Sequence, residues 1–108
     1  MSETAIYPFV NEWSTQRQAA LKKFQTGNVI FTTEALRRLP TEDVYHALAR
    51  HRAGDWGDIA TDGARRNDRA LIDGKRICSV YQVHIATEFW IITEWDRSST
   101  TICLTNNQ

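Results

Sequence analysis

The residues best equipped for chemistry lie near the end of the chain: Glu94, Trp95, Asp96, Arg97 and Ser98. If this stretch closes a β-strand, Glu94 and Asp96 stand at i and i+2 on one sheet face, about 6–7 Å apart along the backbone. Two carboxylates so placed can bind a cation, share a proton or hold a basic group. The competing reading is structural: the carboxylates pair with neighbouring arginines, and Asp96 with Ser98 shapes a turn. A second cluster is His51, Asp55, Trp56 and Asp58. A histidine followed by two carboxylates suits metal or acid–base work, although the spacing matches no strong motif. At a helix C-terminus His51 also serves as a dipole partner, and Trp56 beside glycine also serves as a plug at the core edge. His51, Asp55, Glu94, Asp96 and Arg97 together would make an active site of nuclease or transferase type.

The third signal is arginine. The chain has 10 Arg against 3 Lys, including Arg37, Arg38, Arg50, Arg52, Arg65, Arg66, Arg69 and Arg76. Arginine suits bidentate phosphate and carboxylate contacts and protein interfaces. Eight acidic residues share the same segment, so a mixed-charge surface competes with a basic patch. Across 108 residues, 13 basic and 13 acidic side chains cancel, which disfavours nucleic-acid binding by bulk charge. No CxxC is present, and Cys78 and Cys103 with His46, His51 and His84 form no zinc pattern. We expect no metal and no cofactor. No apolar run approaches a membrane span, and the first residues show no secretory pattern. A cytoplasmic protein with reduced thiols and no membrane association is the expectation.

These side chains need elements to hold them. Residues 1–14 read as an apolar arm containing Ile6, Tyr7, Phe9, Val10 and Trp13, which either docks on its own domain or joins a homodimer interface. Thr15 and Gln18 have capping-box spacing for a first helix, and Gly27 is its expected terminator. Residues 28–32 predict a short strand. Thr33 is the expected cap of a helix over 34–39, Thr41 caps the next, and Asp62 caps a third that Gly74 closes. Val44, Ala47 and Leu48 form an apolar face on the second of these. Strand periodicity then covers 76–85, 88–95 and 100–105, with 96–99 as a turn. The strand over 88–95 is apolar on both faces at its start, which predicts a central strand covered on both sides. The expected core includes Ile77, Val80, Val83, Phe89, Ile91, Ile92, Ile102 and Leu104, with Leu71 from a helix. The chain is one domain: an arm over 1–14, a helical part with a short strand over 15–74, and a sheet over 75–105. Its class is α+β, with helices packed on a C-terminal three-stranded antiparallel meander plus one early strand.

Two resemblances add to this. Ala-Arg-His-x-x-Gly-Asp-Trp-Gly-Asp over 49–58, Asn-Asp-x-Ala-Leu over 67–71, Gly-x-Arg-Ile over 74–77, and Trp-Ile-Ile-Thr-Glu-Trp-Asp-Arg-Ser-x-Thr-Thr-Ile over 90–102 resemble a family of small plasmid- and prophage-carried proteins with restriction-related labels. That resemblance implies a mobile-element context and no particular reaction. Val29-Ile30-Phe31-Thr32 before a helix, and Gly74-Lys75-Arg76-Ile77 with Tyr81, are similar in topology to ribosome-dependent RelE/ParE-type toxins, which implies RNA cleavage. Those toxins are basic, whereas this chain is neutral. The leading expectation is therefore a non-enzymatic inhibitor of a bacterial defence complex, CRISPR or restriction, acting by surface occupation. Trp56, Asp58, Arg65, Arg66, Glu94, Trp95, Asp96 and Arg97 would form its contact, with the carboxylates meeting a basic groove on the partner.

Overall fold

The run Asn-Val-Ile-Phe has the β-branched and aromatic residues that favour extended backbone, and it forms a strand. The computed structural model describes residues 5–6 (backbone only), 23–83 and 87–105. Among these residues the elements in chain order are β1 (Ala5–Ile6), β2 (Asn28–Phe31), α1 (Thr33–Arg38), α2 (Thr41–Arg52), α3 (Thr61–Asp73), β3 (Ile77–Val83), β4 (Thr87–Thr93) and β5 (Ser99–Leu104). They give the expected α+β class.

The sheet runs β1-β2-β5-β4-β3. β3, β4 and β5 form the antiparallel meander, with Ile91 opposite Ser79 on one side and Ile102 on the other. The early strand joins beside β5 in parallel, pairing Val29 with Thr100 and Phe31 with Ile102. The sheet is thus mixed, because β2 runs in the same direction as the β5 strand it pairs with. Within the expected arm, Ala5–Ile6 pairs antiparallel with β2. The other arm residues and most of the first expected helix lie outside the described residues.

The helix starts differ from expectation by one or two positions. Thr32, not Thr33, caps α1, its side chain accepting from the Ala35 amide at 3.3 Å. α2 begins after Pro40, whose fixed φ suits the entry, and has no side-chain cap; Glu42 and Asp43 still occupy its first turn. α3 follows Ala60, so Asp62 lies inside the first turn rather than at the cap. Gly74 ends α3 in the left-handed region, φ 70°, as expected.

The sheet's two faces are unequal. The inner face holds Val29, Phe31, Tyr81, Val83, Phe89, Ile91, Ile102 and Leu104, buried with Ala35 of α1, Leu39 just after it, and Val44, Ala47 and Leu48 of α2, while Ile77 is buried with Phe24, Trp56 and Ala70. Val80, Ile92 and Leu71, expected in the core, are only half-buried, because alternation sends Val80 and Ile92 to the outer face. β4 is central, as expected, but its outer face is not closed over as its inner face is.

α3 seals the exposed edge of β3. Asn67 donates to the Cys78 carbonyl at 2.8 Å and accepts from the Cys78 amide at 3.1 Å, as a neighbouring strand would. The loop after α2 completes the seal: Asp58 N donates to Val80 O at 2.7 Å, and Val80 N to Trp56 O at 3.3 Å. Gly57 between them has φ 72°, and any side chain there would collide with the Val80 carbonyl and the Tyr81 ring. An edge closed in this way is protected against pairing with other chains.

Candidate functional site

The residues that could have formed an active site each have structural partners of their own. His51 lies one turn beyond Leu48 on the same face of α2, and it is fully buried. Its Nδ1 is 2.6 Å from Ser79 Oγ and its Nε2 is 2.8 Å from Thr93 Oγ1. Thr93 Oγ1 is 2.7 Å from Thr100 Oγ1, which donates to Thr26 O at 2.8 Å. Counting hydroxyl protons fixes the direction of the whole chain. Thr100 gives its proton to Thr26 O, so Thr93 donates to Thr100 and must accept from His51 Nε2–H. Burial keeps the ring neutral, so with its proton on Nε2 the Nδ1 is bare and accepts from Ser79. The imidazole is neutral, with its pKa pushed down to about 3 by burial first, then by the Arg52 and Arg97 guanidiniums. Phe24 at 5.1 Å and Trp56 at 5.9 Å stand edge-on to the ring. A serine–histidine pair at this distance has the geometry of a nucleophile and base, but Ser79 and His51 are both 0% exposed. The network joins α2 to β3, β4, β5 and the residues before β2.

Asp55 is not near the strand-end carboxylates in its bonding. It receives Arg50 through both oxygens, at 2.8 and 3.2 Å, and also accepts from the Gly57 amide. Arg50's hydrogen bond holds its carboxyl below the usual range. Arg50 stacks over Tyr81, whose hydroxyl donates to Asp55 O at 2.6 Å. Trp56, expected at the contact surface, is instead 6% exposed and donates its indole N–H to Asp68 at 2.9 Å. The plug reading of Trp56 is the one observed.

At the strand end, each group has a local task. Glu94 faces Arg76 at 3.5 Å. Asp96 accepts from the Ser98 hydroxyl at 2.7 Å and the Ser98 amide at 3.1 Å, which lowers its pKa. Arg97 sits at φ 61°, a left-handed position that costs a non-glycine residue. Its guanidinium donates to Lys75 O at 2.6 Å, Glu94 O at 3.0 Å and Ala70 O at 3.0 Å, and lies over Phe24. A cation on the last carbonyls of α3 is favoured by the helix dipole. Arg97 thus fastens the hairpin to α3, while Trp95 at the tip stays 66% exposed. His51, Asp55, Glu94, Asp96 and Arg97 are thus each engaged in structural contacts of their own. Among the described residues, no three His, Cys, Asp or Glu side chains are grouped as metal ligands.

No protein-family model, curated protein or solved structure matches the chain.

What the structure does assemble is a groove of about 1240 Å³ between α3 and the outer face of β3 and β4. Its floor is Cys78, Val80 and Trp90, and its wall includes the exposed Arg65, Arg66 and Arg69. Asp58, Arg65 and Arg66 of the expected contact set lie here. Gly63, Asn67 and Ala70 are the buried stripe of α3; Asn67 holds the Cys78 peptide, and a side chain at Gly63 would meet Ile59. Cys78 is half-buried, and burial pushes its thiol up to about 11, so it remains protonated near neutrality. Sequence reading missed Cys78, Val80 and Glu88 as lining. The outward alternation of β3 and β4 carried that signal, since the inner positions alone suffice for a core.

Proposed function

We propose that this chain is a non-enzymatic binding protein that acts by occupying a surface of a protein partner, with the groove and the adjoining hairpin tip as its contact face. The groove carries the reading. Pockets for compact ligands usually enclose about 300–1,000 Å³, and this one is larger and open along the helix. Its apolar floor with an aromatic and its exposed arginines match the composition of interface centres. Arg76 lines the groove and pairs with Glu94 at 3.5 Å, which places the groove's edge beside the hairpin whose tip presents Trp95. The partner class, a bacterial defence complex such as a CRISPR or restriction assembly, rests on the resemblance to mobile-element proteins. A homodimer through the arm stands as a separate proposal.

Capture from a bacterial lysate carrying such systems tests the reading. The expected result is a protein recovered at fixed stoichiometry, with graded losses of affinity for Trp90→Ala, Arg66→Glu and Trp95→Ala and no turnover. RNA or DNA cleavage by the purified chain, abolished by Glu94→Gln, would replace it with the toxin-like alternative.

A further inference from the structure

The groove is electrically polarised along its length, and strand register fixes the direction. Val80 pairs with Trp90, and Gln82 with Glu88, so Glu88 lies beyond the floor toward the end of β3. Asp58 is tied to Val80 at the same end, and Asp62 follows it in the first turn of α3. All three carboxylates line the groove, and register and chain order put them toward the end of β3. Toward the start of β3 come Arg65, Arg66 and Arg69 along α3, then Lys75 and Arg76, with Asp73 the single acid among them. No ion pair within the described residues engages Arg65, Arg66, Arg69 or Lys75. Between the two ends lies the apolar floor.

We infer that the groove takes a protein segment of opposite polarity: acidic residues over the Arg65–Arg69–Lys75 end, a bulky apolar side chain on Trp90 and Val80, and a basic residue beside Asp58 and Glu88. This inference rests on the binding reading and gives the partner its chemistry. Charge complementarity selects the occupant. A nucleic acid would place phosphates against the three carboxylates, which is repulsive, and a uniformly acidic peptide would meet the same obstacle. A segment with segregated charges satisfies both ends while its centre excludes water from the floor.

The test uses the full chain and fluorescein-labelled synthetic peptides read by anisotropy at low and physiological salt. The probe has an acidic block, a central Leu-Phe pair and a basic block. Its controls are a peptide of the same composition with alternating charges, an all-acidic peptide, and oligothymidylate. The expected result is that the block peptide binds about tenfold tighter than the alternating one, with the margin narrowing as salt rises. Arg65→Glu with Arg69→Glu should abolish that margin, and Asp58→Lys with Glu88→Lys should shift preference to the all-acidic peptide. Circular dichroism controls for folding, since all four side chains are exposed. Equal binding of block and alternating peptides, tighter binding of oligothymidylate, no binding of any probe, or a dimer in sedimentation that the same variants dissolve would overturn the inference. If the probes fail while Trp90→Ala still loses the captured partner, only the polarity is wrong. If Trp90→Ala keeps that partner, the binding reading falls.

Discussion

The two faces of the sheet treat polar side chains in opposite ways. On the inner face, Ser79, Thr93 and Thr100 are fully buried, and with His51 they form a chain in which every proton has an acceptor. On the outer side, Arg65, Arg66 and Arg69 stand exposed over an apolar floor. The comparison teaches that the residues most like a catalytic set belong to the architecture, while those that look like ordinary solvated charge border the open groove. A buried network has to be complete, because each orphaned group costs about 1–3 kcal/mol. A surface array can wait for a partner, since water satisfies it meanwhile.

The sharpest break of this comparison is a pair of neighbours on β4. Ile91→Asp places an unpaired carboxylate in the closed inner core and should cost at least about 4 kcal/mol in urea denaturation. Ile92→Asp, one residue along on the half-buried outer face, should cost no more than about 2 kcal/mol. Equal costs would abolish the distinction between the faces.

Next in size is His51. Its folded pKa, about 3, lies below the ordinary histidine value of 6.5, so the unfolded chain binds the proton more tightly and acid favours unfolding. The stability is fully present above pH 6.5 and falls by about 1.4 kcal/mol per pH unit below it, down to the folded pKa. At pH 5 the wild-type protein should have lost about 2 kcal/mol through this group, and His51→Gln should remove that loss. A His51→Gln protein with the same pH slope between 7 and 5 would show that other groups set the acid response.

Asn67→Ala removes both hydrogen bonds to the Cys78 peptide and unseals the β3 edge. The expected cost is about 2 kcal/mol, with faster hydrogen exchange at the Cys78 amide than at inner-strand amides. Unchanged exchange would mean that the seal is maintained by the 56–58 loop. The smallest expected effect is at Arg97. Arg97→Ala should cost about 1–2 kcal/mol, and Arg97→Gly about 1 kcal/mol less than that, because glycine relieves the left-handed strain while losing the same hydrogen bonds. If the glycine variant is the less stable of the two, backbone strain at Arg97 is not a significant term.

Much of the fold was legible because its signals are local. The meander strands were placed to within two residues, since alternation and β-branching persist through each. β4 was central, as its apolar start on both faces implied. Cap positions slipped because Thr32 and Thr33 offer equivalent hydroxyls, and only the backbone path selects between them. For the site, Asp58, Arg65 and Arg66 were named in advance, but beside Trp56, which the core absorbs. The bland readings of Asp96, Ser98 and Glu94 as turn and ion-pair residues match the observed bonds. His51 continues the i, i+3, i+4, i+7 face of Val44, Ala47 and Leu48, so its burial was written in the helix period, though its hydroxyl partners were not.

By itself the sequence determined the α+β class, the meander, the end of α3, and a surface of balanced charge. These follow from propensity, period and composition, which act over a few residues. Tertiary structure decided that β2 pairs in parallel with β5, that Ser79, His51, Thr93, Thr100 and Thr26 meet, and that Arg97 spans from a hairpin to α3. It also decided that carboxylates and arginines from four segments line one groove. Each of these joins residues distant in the chain, and no local preference encodes which distant partner a side chain will find.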